Sequence, residues 1–119
     1  MEQQEFLEKN IFIDLKNLNE GLDNETNPYF SETDFEIVLE RLEYFGIGVY
    51  KLDSWLNGES FSAATHEDFN KKATDPQWYT KAFKTFKTRQ SGLIYSASYK
   101  VSNKLLARFD TVDNAEEEE

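Results

Sequence analysis

The side chains best suited to acid–base chemistry stand together at His66, Glu67 and Asp68. An imidazole beside two carboxylates offers the group types that a general base or a metal centre uses. His66 is the only histidine of the chain, so a site with two histidine ligands is excluded. A polar loop of this composition is usually just solvated, and no other group supports a catalytic role. We therefore assign no catalytic residue and no metal ligand.

Motifs for nucleophilic catalysis and nucleotide binding are missing. The chain has no cysteine, which excludes disulfides and thiolate chemistry. It has no Gly-x-Ser-x-Gly elbow for a serine nucleophile. Gly46-Ile47-Gly48 lacks the third glycine of a dinucleotide fingerprint and precedes a predicted strand instead of a helix. The sequence thus predicts no cofactor and favours a non-catalytic protein.

A stripe of four acids offers a different chemistry, that of a protein contact. Glu32, Glu36, Glu40 and Glu43 recur at intervals of four, four and three residues, which is helical spacing. Such a row could imitate phosphates and bind a protein that handles nucleic acid, although Arg41 lies beside it. The simpler interpretation is the solvated side of an amphipathic helix.

Aromatic and basic side chains are mixed further along the chain. Trp78 and Tyr79 precede Lys81, Lys84 and Lys87, a combination that can bind anions or nucleotides by stacking and charge. The alternative is that the rings belong to the core and the lysines to a solvated helix side. This basic block could also dock against the acidic N-terminal half or the acidic tail of the same chain.

A small-ligand site is the hypothesis that joins these rings to the last predicted strand. Adjacent residues point about 100° apart on a helix, so Trp78 and Tyr79 should not share one core layer, and Tyr79 should be partly exposed. Tyr95 and Tyr99 share one side of the strand by its period of two. With Lys81 nearby, these rings would form a concavity for an anionic small molecule. Core packing with a surface phenol remains the alternative.

A local resemblance points the same way. The runs 75–82 (DPQWYTKA) and 91–99 (SGLIYSASY) resemble a segment of Cache/PAS-like sensor domains, in which a Pro-x-Trp-Tyr-x-x-Ala helix precedes a strand that ends in tyrosine. The resemblance covers under a quarter of the chain. It implies that Trp78, Tyr79 and Tyr99 line a small-ligand pocket under a sheet.

Three helices are predicted to position these groups. The first covers residues 2–18, although the β-branched and aromatic run Ile11-Phe12-Ile13 could break it. The second begins at a hydroxyl cap, Ser31 or Thr33, and ends at Gly46, because glycine adopts the positive φ of a C-terminal cap. The third opens at Asp75-Pro76, where aspartate caps and proline loses no needed donor. Alternatively, Thr74 and Gln77 form a capping box at this start.

Strands are predicted at 47–52, 59–64 and 93–101, the last with clear alternation. Asn57-Gly58 predicts a turn between the first two strands, but in a connection longer than a minimal hairpin. Leu105, Leu106 and Phe109 could add a short strand or a turn. Because strand and helix do not alternate regularly, the expected class is α+β: a small antiparallel sheet of three or four strands packed against two or three helices.

Length, composition and charge predict the domain organisation and limit the possible binding partners. With 119 residues, of which 39% are hydrophobic, we expect one domain over 1–109. The final ten residues carry six acids and no base, which predicts a disordered acidic tail over 110–119. The net charge of −10 disfavours direct binding to nucleic acid, and no segment is apolar enough to predict a membrane span. The lack of cysteine favours the cytoplasm.

These observations predict a regulatory or binding domain that recognises a small molecule or a protein. Its candidate ligand-binding residues are Trp78, Tyr79, Tyr95, Tyr99 and Lys81, and its candidate partner-binding residues are Glu32, Glu36, Glu40 and Glu43. The alternative is an acidic inhibitor that mimics nucleic acid. The sequence leaves the oligomeric state open.

Overall fold

The computed structural model describes residues 2–19 and 27–109. Four strands form one antiparallel sheet, and the helices lie against it, as the sequence predicts for an α+β protein. The elements in chain order are α1 (Gln3–Asn10), β1 (Phe30–Ser31), α2 (Glu32–Phe45), β2 (Gly48–Leu56), β3 (Glu59–Thr65), α3 (Pro76–Arg89) and β4 (Ile94–Lys100). Residues 103–109 are also helical and are called α4.

The sheet has the strand order β1-β4-β2-β3. Each neighbouring pair is antiparallel, so β1 and β2 run parallel to one another with β4 between them. Helix α2 connects β1 to β2 across β4, and α3 connects β3 to β4 across β2. Both helices lie on the same side of the sheet, because the Tyr95 ring of β4 contacts Phe35 of α2 and Phe83 of α3.

Helix α2 follows its local sequence closely. The Ser31 hydroxyl accepts a hydrogen bond from the Asp34 N–H at 3.2 Å and caps the first turn. Gly46 closes the helix at φ 70°, where a side chain would be strained. Between these caps, Phe35, Val38 and Leu42 form the apolar stripe and are fully buried. Both predicted ends of this helix are confirmed.

The hairpin of β2 and β3 corrects one prediction. Leu56 pairs with Glu59, so Asn57 and Gly58 form a two-residue loop, with φ of 53° and 82°. The connection is therefore a minimal hairpin, because β2 continues to Leu56 instead of stopping at Leu52. Sheet pairing on both sides of β2 holds residues 53–56 in the strand although their pattern is irregular.

The two chain ends depart further from the sequence pattern. Helix α1 stops at Asn10, and Arg41 of α2 donates to the carbonyl oxygens of Ile11 and Ile13, both at 2.8 Å, which fixes the turn that follows. Residues 105–109 are helical, so the expected strand or turn there is wrong. The Phe109 ring packs on Phe6 at 4.9 Å, which supplies the burial that a helix of this length needs. The predicted acidic tail, 110–119, lies outside the described residues.

The core lies between the sheet and the α2–α3 layer. Leu52, Tyr95 and Ala97 project towards the helices and are buried, in agreement with the alternation of their strands. On the other side of the same strands lie Lys51 and Ser98, which are at least partly exposed. No helix among the described residues is long and apolar enough to cross a bilayer.

Candidate functional site

A groove runs between α2 and α3 on the outer surface of the helix layer. Glu43, near the end of α2, lines a depression of about 650 Å³ together with Asp75 and Pro76 at the start of α3. Glu36, earlier in α2, lines a second depression of about 210 Å³ with Lys87, late in α3. The two helices therefore run antiparallel, and the depressions follow one another along the line between them.

The walls of this groove carry opposite charges. Three of the predicted acids, Glu36, Glu40 and Glu43, project from α2. Three lysines project from α3 on the opposite wall: Lys81, Lys84 and Lys87. We call these the acidic row and the basic row.

The two rows face one another without pairing. Within the described residues, none of the six side chains has an ion pair at 4.0 Å or less, whereas Lys51 pairs with Asp53 at 3.5 Å and Lys9 with Glu5 at 3.1 Å. Opposite charges that stay apart across a groove keep their hydrogen-bonding capacity for another molecule. This arrangement can bind a ligand that presents both a cation and an anion.

The floor between the rows is apolar. Leu39 of α2 and Phe83 of α3 line the smaller depression. The ammonium of Lys87 lies 5.0 Å from the centre of the Phe83 ring, in a cation–π contact that holds this lysine over the floor. A ligand in the groove would thus meet an apolar strip bordered by charges of both signs.

Tyr79 supports the wide end of the groove from below. Burial is the main cause that raises the pKa of its phenol, and the negative charges of Glu43 and Asp75 raise this pKa further. Both carboxylates line the larger depression, so the Tyr79 hydroxyl lies close behind its wall. Among the described residues this buried hydroxyl has no hydrogen-bond partner.

The structure does not bring the predicted aromatic residues together as an open pocket. Trp78 and Tyr79 are each 1% exposed and Tyr95 is 0% exposed, so the expected exposure of Tyr79 is wrong. Trp78 and Tyr79 do point in different directions from the helix, as the angle of about 100° between adjacent residues predicts. Other residues cover the helix in both directions, so both rings are buried. Trp78 packs against Phe69 and His66 of the preceding loop, whereas Tyr79 lies under the groove next to Glu43. Lys81 is the one predicted ligand-binding residue that lines a groove depression.

Tyr95 and Tyr99 lie in two different aromatic clusters. The Tyr95 ring stacks on Phe35 at 5.4 Å and meets the edge of Phe83 at 4.9 Å. Burial, with a smaller contribution from Glu32, raises the pKa of Tyr95 to about 12. Tyr99 packs on Phe12 at 5.5 Å, and burial raises its pKa too. Neither hydroxyl has a hydrogen-bond partner among the described residues.

The loop that contains His66 is held by local structure. His66 Nδ1 lies 2.8 Å from the Lys71 carbonyl oxygen, and Asp68 Oδ2 accepts from the Thr65 N–H at 2.9 Å. These bonds close the turn that contains a short 3₁₀ helix, Glu67–Phe69. Across the part of the chain that the structure describes, no three carboxylate or imidazole side chains gather as a metal site would need.

Sequence reasoning identified the two charged rows separately and missed the groove that they form. The sequence predicts a partner-binding role for the acidic row, and from the basic row it predicts a ligand-binding role for Lys81 alone. The available signal was that each helix carries its charges next to its apolar stripe: Glu43 follows Leu42, and Lys84 follows Phe83. Two such helices side by side on a sheet bring these rows together when each row flanks its stripe on the side of the other helix, as it does here. Glu32 is exposed but does not line the groove depressions.

Comparison with known proteins gives no relative: no family model, no curated protein and no solved structure matches this chain. The resemblance to Cache/PAS-like sensor domains stays a prediction. The functional argument therefore depends on the chemistry of the groove.

Proposed function

We propose that this protein is a non-catalytic binding domain whose contact surface is the groove between α2 and α3. One observation carries the proposal: the acidic and the basic row face one another across an apolar floor, and neither row is paired within the described chain. Charged and apolar groups in this order favour recognition by complementary charge, which sets specificity and association rate more than raw affinity.

The shape of the groove favours a protein partner over a small molecule. From Glu36 to Glu43 the acidic row extends about 10 Å, at 1.5 Å per helical residue. Pockets for small molecules are concave and enclose most of their ligand, whereas five of the six charged side chains on the walls of this groove are exposed and Lys87 is half-buried. We propose that the partner presents an apolar strip with a cationic edge and an anionic edge. We place the encounter in the cytoplasm, in keeping with a chain that has no cysteine.

Mimicry of nucleic acid is the weaker alternative. A mimic needs an extended field of one sign, but Lys81, Lys84 and Lys87 stand directly beside the acidic row. The net negative charge also comes from two short segments, residues 20–26 and 110–119, which contain acids and no base. The rest of the chain is nearly neutral, with 14 acids and 13 bases. The helix layer is thus a dipolar surface.

A matched pair of variants tests the proposal. The groove variant is Glu36→Gln, Glu40→Gln and Glu43→Gln, and the control variant, with the same change in charge, is Glu5→Gln, Glu8→Gln and Glu59→Gln. All six side chains are exposed, so both variants should fold like the wild type, which circular dichroism checks. The wild type and both variants are used as bait, and the captured partners are identified by mass spectrometry and their affinities measured with purified components.

We expect the groove variant to lose the partner that the wild type and the control variant both retain. The amide shifts that this partner causes in the wild-type NMR spectrum should fall on α2 and α3. Equal binding by all three proteins, or shifts confined to the open side of the sheet, would refute the groove as the contact surface. A partner that binds nucleic acid and ignores Lys84→Gln would instead support mimicry.

A further inference from the structure

We propose that the same groove also receives a second copy of this chain, so that two α2–α3 surfaces pair about a two-fold axis parallel to the groove. The inference rests on the proposed function, since both need the groove as the contact surface. It goes further by naming one occupant and the symmetry of its placement.

The argument is one of charge and symmetry. The acidic row lies on one wall and the basic row on the other, at matching levels along the groove. Rotation about a two-fold axis parallel to the groove places each wall of one copy against the opposite wall of the other copy. The rotation leaves the position of every residue along the groove unchanged. It therefore lays the acidic row of each copy on the basic row of the other. A two-fold axis across the groove would lay acid on acid, so the charges select one isologous arrangement.

The levels along the groove define the contacts between copies. Glu36 shares its depression with Lys87, so these two residues stand at one end. Glu43 shares the other depression with Lys81. Under the parallel two-fold axis, Glu36 of one copy meets Lys87 of the second copy, and Glu43 meets Lys81. Six such pairs form in all, because each of the three acids occurs twice.

The consequence is a competition. A second copy and a partner protein would use the same two rows, so occupation by one excludes the other. The concentration of the protein would then set how much groove is available to the partner, by mass action.

The test is a charge exchange between the rows. The all-basic variant is Glu36→Lys, Glu40→Lys and Glu43→Lys, with a net charge of −4. The all-acidic variant is Lys81→Glu, Lys84→Glu and Lys87→Glu, with a net charge of −16. Association is measured by sedimentation equilibrium at about 0.15 M salt, where the Debye length is about 8 Å and repulsion between net charges is largely screened.

We expect the wild type to dimerise, each variant alone to be a monomer, and their equimolar mixture to form a heterodimer. Loss of six exposed pairs, each a factor of about 1.4 to 5, should weaken self-association by at least about sevenfold. Net charge opposes this result, since the all-basic variant is less repulsive overall than the wild type. Its failure to dimerise must therefore come from the mismatched rows.

A control variant with the same net charge, Glu5→Lys, Glu8→Lys and Glu59→Lys, should dimerise at least as well as the wild type. A wild type that stays monomeric at the highest soluble concentration would overturn the inference. So would dimerisation of the all-basic variant alone, or a mixture that stays monomeric while both variants keep the wild-type circular dichroism spectrum. None of these outcomes touches the partner capture above, which compares the wild type with the two glutamine variants for binding to a different protein and fails or succeeds separately.

Discussion

The open side of the sheet and the α2–α3 layer are both charged, but they use charge differently. On the open side, Lys51 and Asp53 of the same strand form an ion pair at 3.5 Å, next to small residues such as Ser98. In the groove, the acidic and basic rows lie close and stay unpaired. Paired charges solubilise a surface, whereas unpaired and opposed charges are available to another molecule. The arrangement of the charges, more than their number, distinguishes a candidate site from an ordinary surface.

The largest expected effect lies beneath the groove. Leu42 is fully buried on the apolar side of α2, so Leu42→Ala should lower the free energy of unfolding by about 2–5 kcal/mol through lost burial and a cavity. Ser98→Ala, on the open side of the sheet, should change it by less than about 0.5 kcal/mol. Urea unfolding followed by circular dichroism measures both. Similar losses at the two positions would mean that the open side is covered as well.

The next largest effect is expected from alkaline pH, which should lower the stability of the protein through a tyrosine on the helix-covered side of the sheet. The pKa of Tyr95 is raised to about 12 in the folded protein, against about 10 in an unfolded chain. Between these values the unfolded state releases its proton first, so the folded state binds more protons and stability falls as pH rises. The contribution is complete below pH 10 and is lost as pH rises through about 12. Urea titrations at stepwise increasing pH should show this decline.

Tyr95→Phe isolates the phenol from the ring. The buried hydroxyl has no hydrogen-bond partner among the described residues, so its removal spares a desolvation cost of about 1–3 kcal/mol without losing a bond. We expect a neutral or stabilising change at pH 7 and a shallower decline above pH 10. A variant destabilised by more than about 1 kcal/mol would show that the hydroxyl is satisfied in solution.

The smallest effect is expected in the acidic row. Glu36→Gln with Glu40→Gln should change stability by no more than about 0.5 kcal/mol, because both carboxylates are exposed and unpaired. Thermal unfolding of the double variant measures this. A clear loss would mean that the rows hold the two helices together, and the contrast with the open side of the sheet would disappear.

Elements with local signals were predictable from the sequence. Short sequence segments determine the helix ends, and the structure confirms three of them: the Ser31 cap and the Gly46 end of α2, and the Asp75-Pro76 start of α3. The Asn57-Gly58 turn was also found. Strand β1, however, has two residues, too few for any period to be seen, and it exists through its pairing with β4.

Features that depend on distant partners were not predictable. Whether Tyr79 is exposed depends on what covers the second direction of α3, and the neighbouring helix α2 does so. The helical state of residues 103–109 depends on contacts with α1, almost a hundred residues earlier. The groove shares this origin, since its two walls come from helices separated by the whole β2–β3 hairpin.

The strand order has a consequence for how the protein is made. β4 is the last strand of the described residues, yet it lies between β1 and β2 inside the sheet. On the ribosome, β1 and the β2–β3 hairpin emerge first, with no strand to join them. They must wait for residues 94–100 before the sheet can close. We expect folding to be late and cooperative during synthesis, with slow kinetics typical of pairings between distant segments. A ribosome-bound chain that stops before Ile94 should be digested readily by protease, and one extended beyond Phe109 should resist.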